Sequence, residues 1–370
     1  MRIIYLYPSL AIWGGIERVL VDKMNYLVRQ YGYEVYMITS DQGEHSIPYT
    51  LDKKVHFIDL NIRFHTRFRF RGVRRMIEFR RLNRLYHEKL RQLLQEINPD
   101  VIVCTTSQNV KQLLKLKGNI PLVVESHVNF SHDDTWMHRI QSLINNYWIG
   151  KAETVVTLTN GDAENWRRVS KNVRVIPNVV CLNDTNQYSD CTEKRVVFVG
   201  RFTEQKGIGE LFSIWQQVHS QFPDWHLDLY GEGELWEKYN QKAEALNLNI
   251  VLHKPTSQIF DVYRNSSIFV LTSVYEPFGL VMPEAMSCGL PVVAFACPYG
   301  PASIITDGEE GFLIPSRDRQ KFTDRLCLLM GNIELRQQMG RKAIKSSQRF
   351  TAYEIMPMWK QLFEQLPSLS

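Results

Sequence analysis

A chain of 370 residues is longer than one ordinary hydrophobic core holds, so two domains are the expectation. With 44% apolar and 22% charged residues, and no apolar run near the roughly 18 residues that cross a bilayer, the composition excludes a disordered chain and a membrane-spanning helix. The net charge of +5 is uneven: residues 1–178 hold 26 Lys and Arg against 17 Asp and Glu, the remainder 18 against 22, and the basic excess of the first half suits a phosphate-bearing partner.

Taken in chain order, short Val/Ile-rich runs alternate with longer helical patterns. The opening run reads as a buried first strand, 3–7, rather than a signal peptide. Further strands are predicted at 35–39, 55–60, 101–104, 122–125, 155–158 and 173–176, with helices including 16–30, 73–97 and 163–169. Continuous apolar strands separated by helices indicate a parallel sheet covered on both faces. Pro177-Asn178 break the pattern, and a polar stretch, 182–194, reads as an interdomain linker. The alternation restarts with strands at 195–199, 227–230, 250–252, 268–271, 292–294 and 312–314, a second doubly wound sheet, and closes on an amphipathic helix, 353–366. The six cysteines show no C-x-x-C pair and no metal-ligand spacing, so reduced thiols in a cytoplasmic protein are expected.

One segment of the first half stands apart. Residues 63–91 carry eleven Lys and Arg against Glu78 and Glu88, interleaved with Phe. Val73, Met76, Ile77, Phe79, Leu82, Leu85 and Tyr86 follow helical spacing. A basic amphipathic helix suits an anionic membrane surface or a lipid-linked diphosphate; the plainer alternative is a solvated helix packed on its sheet. Arg with aromatics can also clamp single-stranded nucleic acid, but the rest of the chain is neutral to acidic and holds no nucleic-acid motif, so no nucleic-acid partner is expected.

Several groups could carry chemistry. Gly200 ends a strand, Arg201 and Lys206 follow, and Gly207 opens a helix. Two cations beside a helix N-terminus at a strand-to-helix crossing form a clamp for a diphosphate; otherwise they are solvated surface charges. Between Ser273 and Gly289 two carboxylates, Glu276 and Glu284, stand eight positions apart, separated by the turn Pro277-Phe278-Gly279 and the first turn of a helix starting near Leu280. A loop acid, a helix acid and a helix end with free N–H groups can together hold a sugar joined to a diphosphate. Gly14-Gly15 follow the first strand and precede a helix with Glu17 and Arg18 in its opening turn; their N–H groups can meet phosphate or an acceptor. Gly231 and Gly233 either let the chain pass close to a nucleoside or simply form a turn. His127 sits past a strand at its carboxyl end, beside Ser126 and Asn129, where a His is suited to act on a ligand. The sequence contains no Asp-x-Asp, and Asp133-Asp134 are adjacent and diverge, so cations of the protein rather than a metal are expected to stabilise a leaving group.

These residues carry a resemblance. Glu276-Pro-Phe-Gly-Leu-Val-Met-Pro-Glu284 is similar to the E-x7-E signature of retaining glycosyltransferase family 4, of the GT-B fold. Gly14-Gly15, Glu125-Ser-His127, the run from Gly200 to Gly207, Gly231-Glu-Gly233 and Asp307-Gly-x-x-Gly311 resemble family motifs in the family's order. The resemblance implies two Rossmann-like domains facing across a cleft: an acceptor domain, 1–178, to which a C-terminal helix, 351–370, crosses back, and a nucleotide-sugar domain, 179–350. It implies that Arg201 and Lys206 neutralise the leaving diphosphate and that Glu284 binds the ribose hydroxyls. Glu276 and His127 would lie near the transferred sugar, and Gly14, Gly15, Gly231, Gly233, Phe278, Gly279 and Leu280 would line the donor.

The function this implies is retaining, metal-independent transfer of a hexosyl or N-acetylhexosaminyl group, with UDP-sugar as the expected donor and no cofactor. The acceptor would be a lipid-linked or growing glycan, met by a peripheral enzyme at the cytoplasmic face of the cell membrane. A non-catalytic module that binds a nucleotide sugar or anionic polymer, and a sugar-nucleotide epimerase of the same fold, are the alternatives; fold alone does not choose among them.

Overall fold

The computed structural model describes residues 1–106, 110–127 and 136–366; Asn129 and Asp133-Asp134 lie outside them. It divides into two compact units, Met1–Val179 with Ile355–Ser370, and Val180–Glu354.

The first unit runs β1 (Arg2–Tyr7), α1 (Gly15–Gln30), β2 (Glu34–Thr39), β3 (His56–Asp59), α2 (Gly72–Ile97), β4 (Val101–Thr105), α3 (Val110–Leu116), β5 (Leu122–Ser126), α4 (Trp136–Ile149), β6 (Thr154–Thr157), α5 (Asn160–Trp166) and β7 (Val173–Val175). Its sheet is parallel, in the order β3-β2-β1-β4-β5-β6-β7. Strand order reverses at β1, so right-handed crossovers put α1 on one face and α2, α3 and α4 on the other. The core follows the strand period: Ile4, Leu6, Ile38, Ile102 and Cys104 pack under Leu82, Tyr86, Leu90, Leu94 and Ile97 of α2.

The apolar stripe of α2 buries only from Leu82 onward; Val73, Met76 and Ile77 share the helical spacing but are 67%, 50% and 60% exposed. Helix α5 begins three residues before its predicted start, because the Thr159 side chain caps it by accepting from the Asp162 N–H at 3.2 Å.

The second unit runs β8 (Arg195–Val199), α6 (Ile208–His219), β9 (His226–Tyr230), α7 (Trp236–Leu246), β10 (Ile250–His253), α8 (Ile259–Arg264), β11 (Ile268–Leu271), α9 (Val281–Ser287), β12 (Val292–Phe295), α10 (Pro301–Ile304), β13 (Gly311–Ile314), α11 (Arg319–Gly331) and α12 (Ile333–Ser347). Its sheet order is β10-β9-β8-β11-β12-β13, again parallel. The polar stretch expected as a linker is instead fastened to this unit. The Asn183 N–H donates to Ser287 Oγ at 3.0 Å, the Ser189 N–H to the Cys288 carbonyl at 2.8 Å, and buried Arg336 donates twice to the Cys191 carbonyl. Side-chain hydrogen bonding satisfies a segment that lacks the apolar pattern of a strand or helix.

The last helix, α13 (Ala352–Gln365), belongs to the first unit from Ile355 onward and buries Ile355, Met356, Trp359, Leu362 and Phe363. Among the described residues no helix is long and apolar enough to cross a membrane, and all six cysteines are free thiols.

Candidate active site

In the second unit, the loops after β8, β9 and β11 leave the carboxyl ends of three adjacent strands, where parallel sheets bind ligands. After β8, a 3-10 turn (Glu204–Lys206) leads to Gly207, whose φ of 62° starts α6. A Cβ at Gly207 would stand 2.1 Å from the Thr272 carbonyl oxygen, so the close approach of the two loops demands glycine. The Val274 N–H donates to the Gln205 carbonyl at 2.8 Å and Gln205 Nε2 to the Tyr275 carbonyl at 3.1 Å, completing the lacing.

This lacing fixes the position of Lys206, whose Nζ lies 2.5 Å from Glu276 Oε2; the same oxygen accepts from Ser273 Oγ at 3.2 Å. Both charged side chains are nearly buried, so their attraction is poorly screened. The Glu276 backbone is pinned as well: its N–H donates to the Pro298 carbonyl at 2.7 Å, and its carbonyl accepts from the Tyr299 and Gly300 N–H groups. Arg201 is exposed on the same loop as Lys206 and forms no ion pair among the described residues.

Glu284 is buried on α9, with Tyr263 Oη 3.5 Å from its Oε2. Leu280 caps α9, and Gly279, at φ 91°, leaves no room for a Cβ beside Glu276 Cγ and Met282 Cε. The Phe278 ring is buried edge-on against Phe350 at 5.4 Å, so this residue turns its side chain into its own unit.

Gly231 and Gly233 have φ of 150° and 149°. Added Cβ atoms would stand 2.0 Å from the Gly200 carbonyl oxygen and 2.6 Å from the Phe202 carbonyl oxygen. Backbone packing between the loops after β8 and β9 therefore accounts for both glycines.

In the first unit, Gly14 and Gly15 open α1 at the carboxyl end of β1. Glu17 folds back over Gly14, where a Cβ would meet its Oε2 at 2.0 Å, and its Oε1 accepts from Tyr7 Oη at 2.9 Å. Tyr49 Oη donates to the Gly14 carbonyl at 3.1 Å.

His127 directly follows β5 and is buried. Its Nε2 lies 2.9 Å from Glu125 Oε2, the oxygen that also receives the ammonium of buried Lys23. Burial alone would push the Glu125 carboxyl up, but the Lys23 charge and the His127 bond outweigh it and hold the group down at about 2. Ser126 turns the other way: its Oγ donates to Asp162 Oδ2 at 3.0 Å and accepts from Trp166 Nε1 at 3.1 Å.

The glycosyl transferases group 1 family model matches residues 184–346, and the glycosyltransferase family 4 model matches residues 13–184. A Haemophilus influenzae protein described as an uncharacterised glycosyltransferase is 27% identical over 97% of this chain and 99% of its own. The amylovoran biosynthesis glycosyltransferase AmsD of Erwinia amylovora is 27% identical over 98% and 99%. Among solved structures, a variant of S. aureus TarM in complex with Fondaparinux, alpha-GlcNAc-glycerol and UDP superposes with a TM-score of 0.79 at 16% identity, over 98% of this chain and 99% of that one. Anabaena HepE in complex with UDP and glucose gives 0.73 at 21%, over the whole of both chains. The chain is a glycosyltransferase of the GT-B fold.

Some residues of this glycosyltransferase's candidate site escaped the sequence reading. Lys23 left a signal: it falls on the buried stripe of α1 with Val19, Leu20, Met24 and Leu27, where a cation needs a buried partner. Glu125 falls within a sequence motif that carries no trace of its link to Lys23. Ser273 and Tyr263 gave no signal, because their partners are fixed only by tertiary folding, within the loop after β11 for Ser273 and between α8 and α9 for Tyr263.

Proposed function

We propose that this glycosyltransferase is a retaining, metal-independent family 4 enzyme. It moves a hexosyl or N-acetylhexosaminyl group from a UDP-sugar to a lipid-linked or growing glycan. The observation that carries the reading is the Lys206–Glu276 pair, held by two laced loops at the carboxyl ends of β8 and β11 with Glu284 on the helix behind.

In the reaction, the bond from the anomeric carbon to the diphosphate oxygen breaks as the acceptor oxygen bonds to the same face. The acceptor's proton passes to the departing diphosphate oxygen. Negative charge grows on the leaving group, so electrostatic stabilisation there is the main catalytic term. Arg201 and Lys206 supply it, and the lack of any Asp-x-Asp supports protein cations in place of a metal. A diphosphate reaching Lys206 competes with Glu276 for the same ammonium, which frees the Glu276 carboxylate for sugar hydroxyls. Glu284 accepts from the ribose hydroxyls, and His127 meets the sugar. Backbone N–H groups of Gly14, Gly15, Gly279 and Leu280 serve the donor phosphates.

The acceptor's lipid is met by residues 68–77, which lead into and form the start of α2. There Phe68, Phe70, Val73, Met76 and Ile77 are exposed among arginines, a composition suited to an anionic bilayer on the cytoplasmic side. That UDP accompanies the TarM and HepE structures supports the choice of nucleotide.

The test is UDP release from UDP-glucose and UDP-N-acetylglucosamine in EDTA, with and without membrane lipid extract. Release that rises with extract and survives EDTA is expected. No release from any sugar nucleotide sinks the proposal, and loss of activity in EDTA restored by a divalent cation sinks its metal independence.

A further inference from the structure

Lys23 is 1% exposed, and its ammonium lies over two rings, 4.1 Å from the Trp359 centroid and 5.5 Å from that of Tyr5. Its ion partner, Glu125, is equally buried, and the shared oxygen Oε2 also faces His127 Nε2. Buried ion pairs are seldom retained for stability, since well-packed apolar side chains serve as well or better. A cluster that brings two nitrogen groups to one carboxylate oxygen also fixes geometry.

We propose that Glu125 and Lys23 are positioning residues for His127, fixing its imidazole as the Nε2–H tautomer with Nδ1 left to accept a hydrogen bond, and that α13 covers this assembly through Trp359. The inference rests on the reading of His127 as a residue that meets the sugar.

An ionised carboxylate only accepts, so the ring nitrogen facing it carries the hydrogen. A neutral imidazole then has a bare Nδ1. The Lys23 ammonium balances the carboxylate, so the ring acts as a hydrogen-bonding group rather than as the counter-ion. Trp359 and Tyr5 shield the ammonium from water, and a desolvated cation over an aromatic face is held firmly. Three elements distant in sequence, α1, the end of β5 and α13, thus set the orientation of one ring.

The test uses the full chain labelled with 15N-histidine, with His127→Ala identifying the His127 resonances. In the wild-type protein His127 is expected to show a protonated Nε2 and an unprotonated Nδ1. In Glu125→Gln the amide both donates and accepts, so the tautomer is no longer fixed and Nδ1–H character appears. UDP release from UDP-glucose or UDP-N-acetylglucosamine should fall about 10- to 100-fold in kcat, the range typical of partners that orient a functional imidazole, with little change in KM. Should Glu125→Gln fail to fold with Lys23 unpaired, the Lys23→Met/Glu125→Gln double variant removes both charges and gives the same readouts. An Nδ1–H ring in the wild-type protein overturns the proposal. So does an unchanged tautomer in the folded variants. If His127→Ala releases UDP at the wild-type rate, the role of His127 falls and the proposal with it. A slow His127→Ala alongside a fast Glu125→Gln overturns only the positioning role.

Discussion

Lys206 has two claimants: the carboxylate it touches and the diphosphate it is proposed to meet. Replacing it by Ala should slow turnover by about 10²- to 10³-fold, the usual cost of losing one preorganised charge stabiliser, while nucleotide binding persists. Single-turnover UDP release and calorimetric titration with UDP separate the two effects. Gly207→Ala acts differently, by forcing a Cβ to within 2.1 Å of the Thr272 carbonyl at φ 62°. It should cost about 1–3 kcal/mol of stability, read from urea denaturation, and disturb the Lys206 loop as well. Short-range patterns single out Arg201, Lys206, Glu276 and Glu284 by their spacing along a loop or helix turn, and the structure brings Lys206 and Glu276 into contact. The reason for each glycine was not legible. Gly14 yields to Glu17, and Gly231 and Gly233 yield to the loop after β8, contacts that exist only once strands β8 and β9 lie side by side.

Helix α2 has two halves with different work. From Leu82 onward its stripe is core, and Leu90→Ala should cost about 2–5 kcal/mol, measured by thermal or chemical unfolding. Before Leu82 the same periodicity faces outward, and Ile77→Glu should leave the unfolding midpoint nearly unchanged. That substitution should, however, weaken sedimentation with phosphatidylglycerol vesicles relative to phosphatidylcholine vesicles. Equal sedimentation of wild type and variant would remove the membrane role. Periodicity in the sequence could not divide the helix, because it reports which residues share a face and not where the sheet beneath them ends. Strands were easier, since a run buried on both faces is continuous and short, as in β4, β5 and β12. The tether at 182–194 was missed because hydrogen bonds from Asn183, Ser189 and Arg336 leave no hydrophobic imprint.

At the scale of the molecule, two doubly wound sheets were foreseeable from alternation alone, each with its own core. Acid should weaken the first of them. Glu125 is held at about 2, below its ordinary range, so its ionised form stabilises the fold above the unfolded carboxyl's value near 4. That contribution is lost as pH falls from about 4 through about 2. Urea titrations across that window should show the loss in the wild-type protein and not in the Lys23→Met/Glu125→Gln variant. The cover that α13 places over Lys23 has a temporal side. During synthesis β1, α1 and β5 emerge long before Trp359, so the first sheet must wait with a charge-bearing seam open until the whole second sheet has been made. A nascent chain paused short of α13 should therefore hold a loosened N-terminal half, open to protease and in need of a chaperone, however well its strands have already paired.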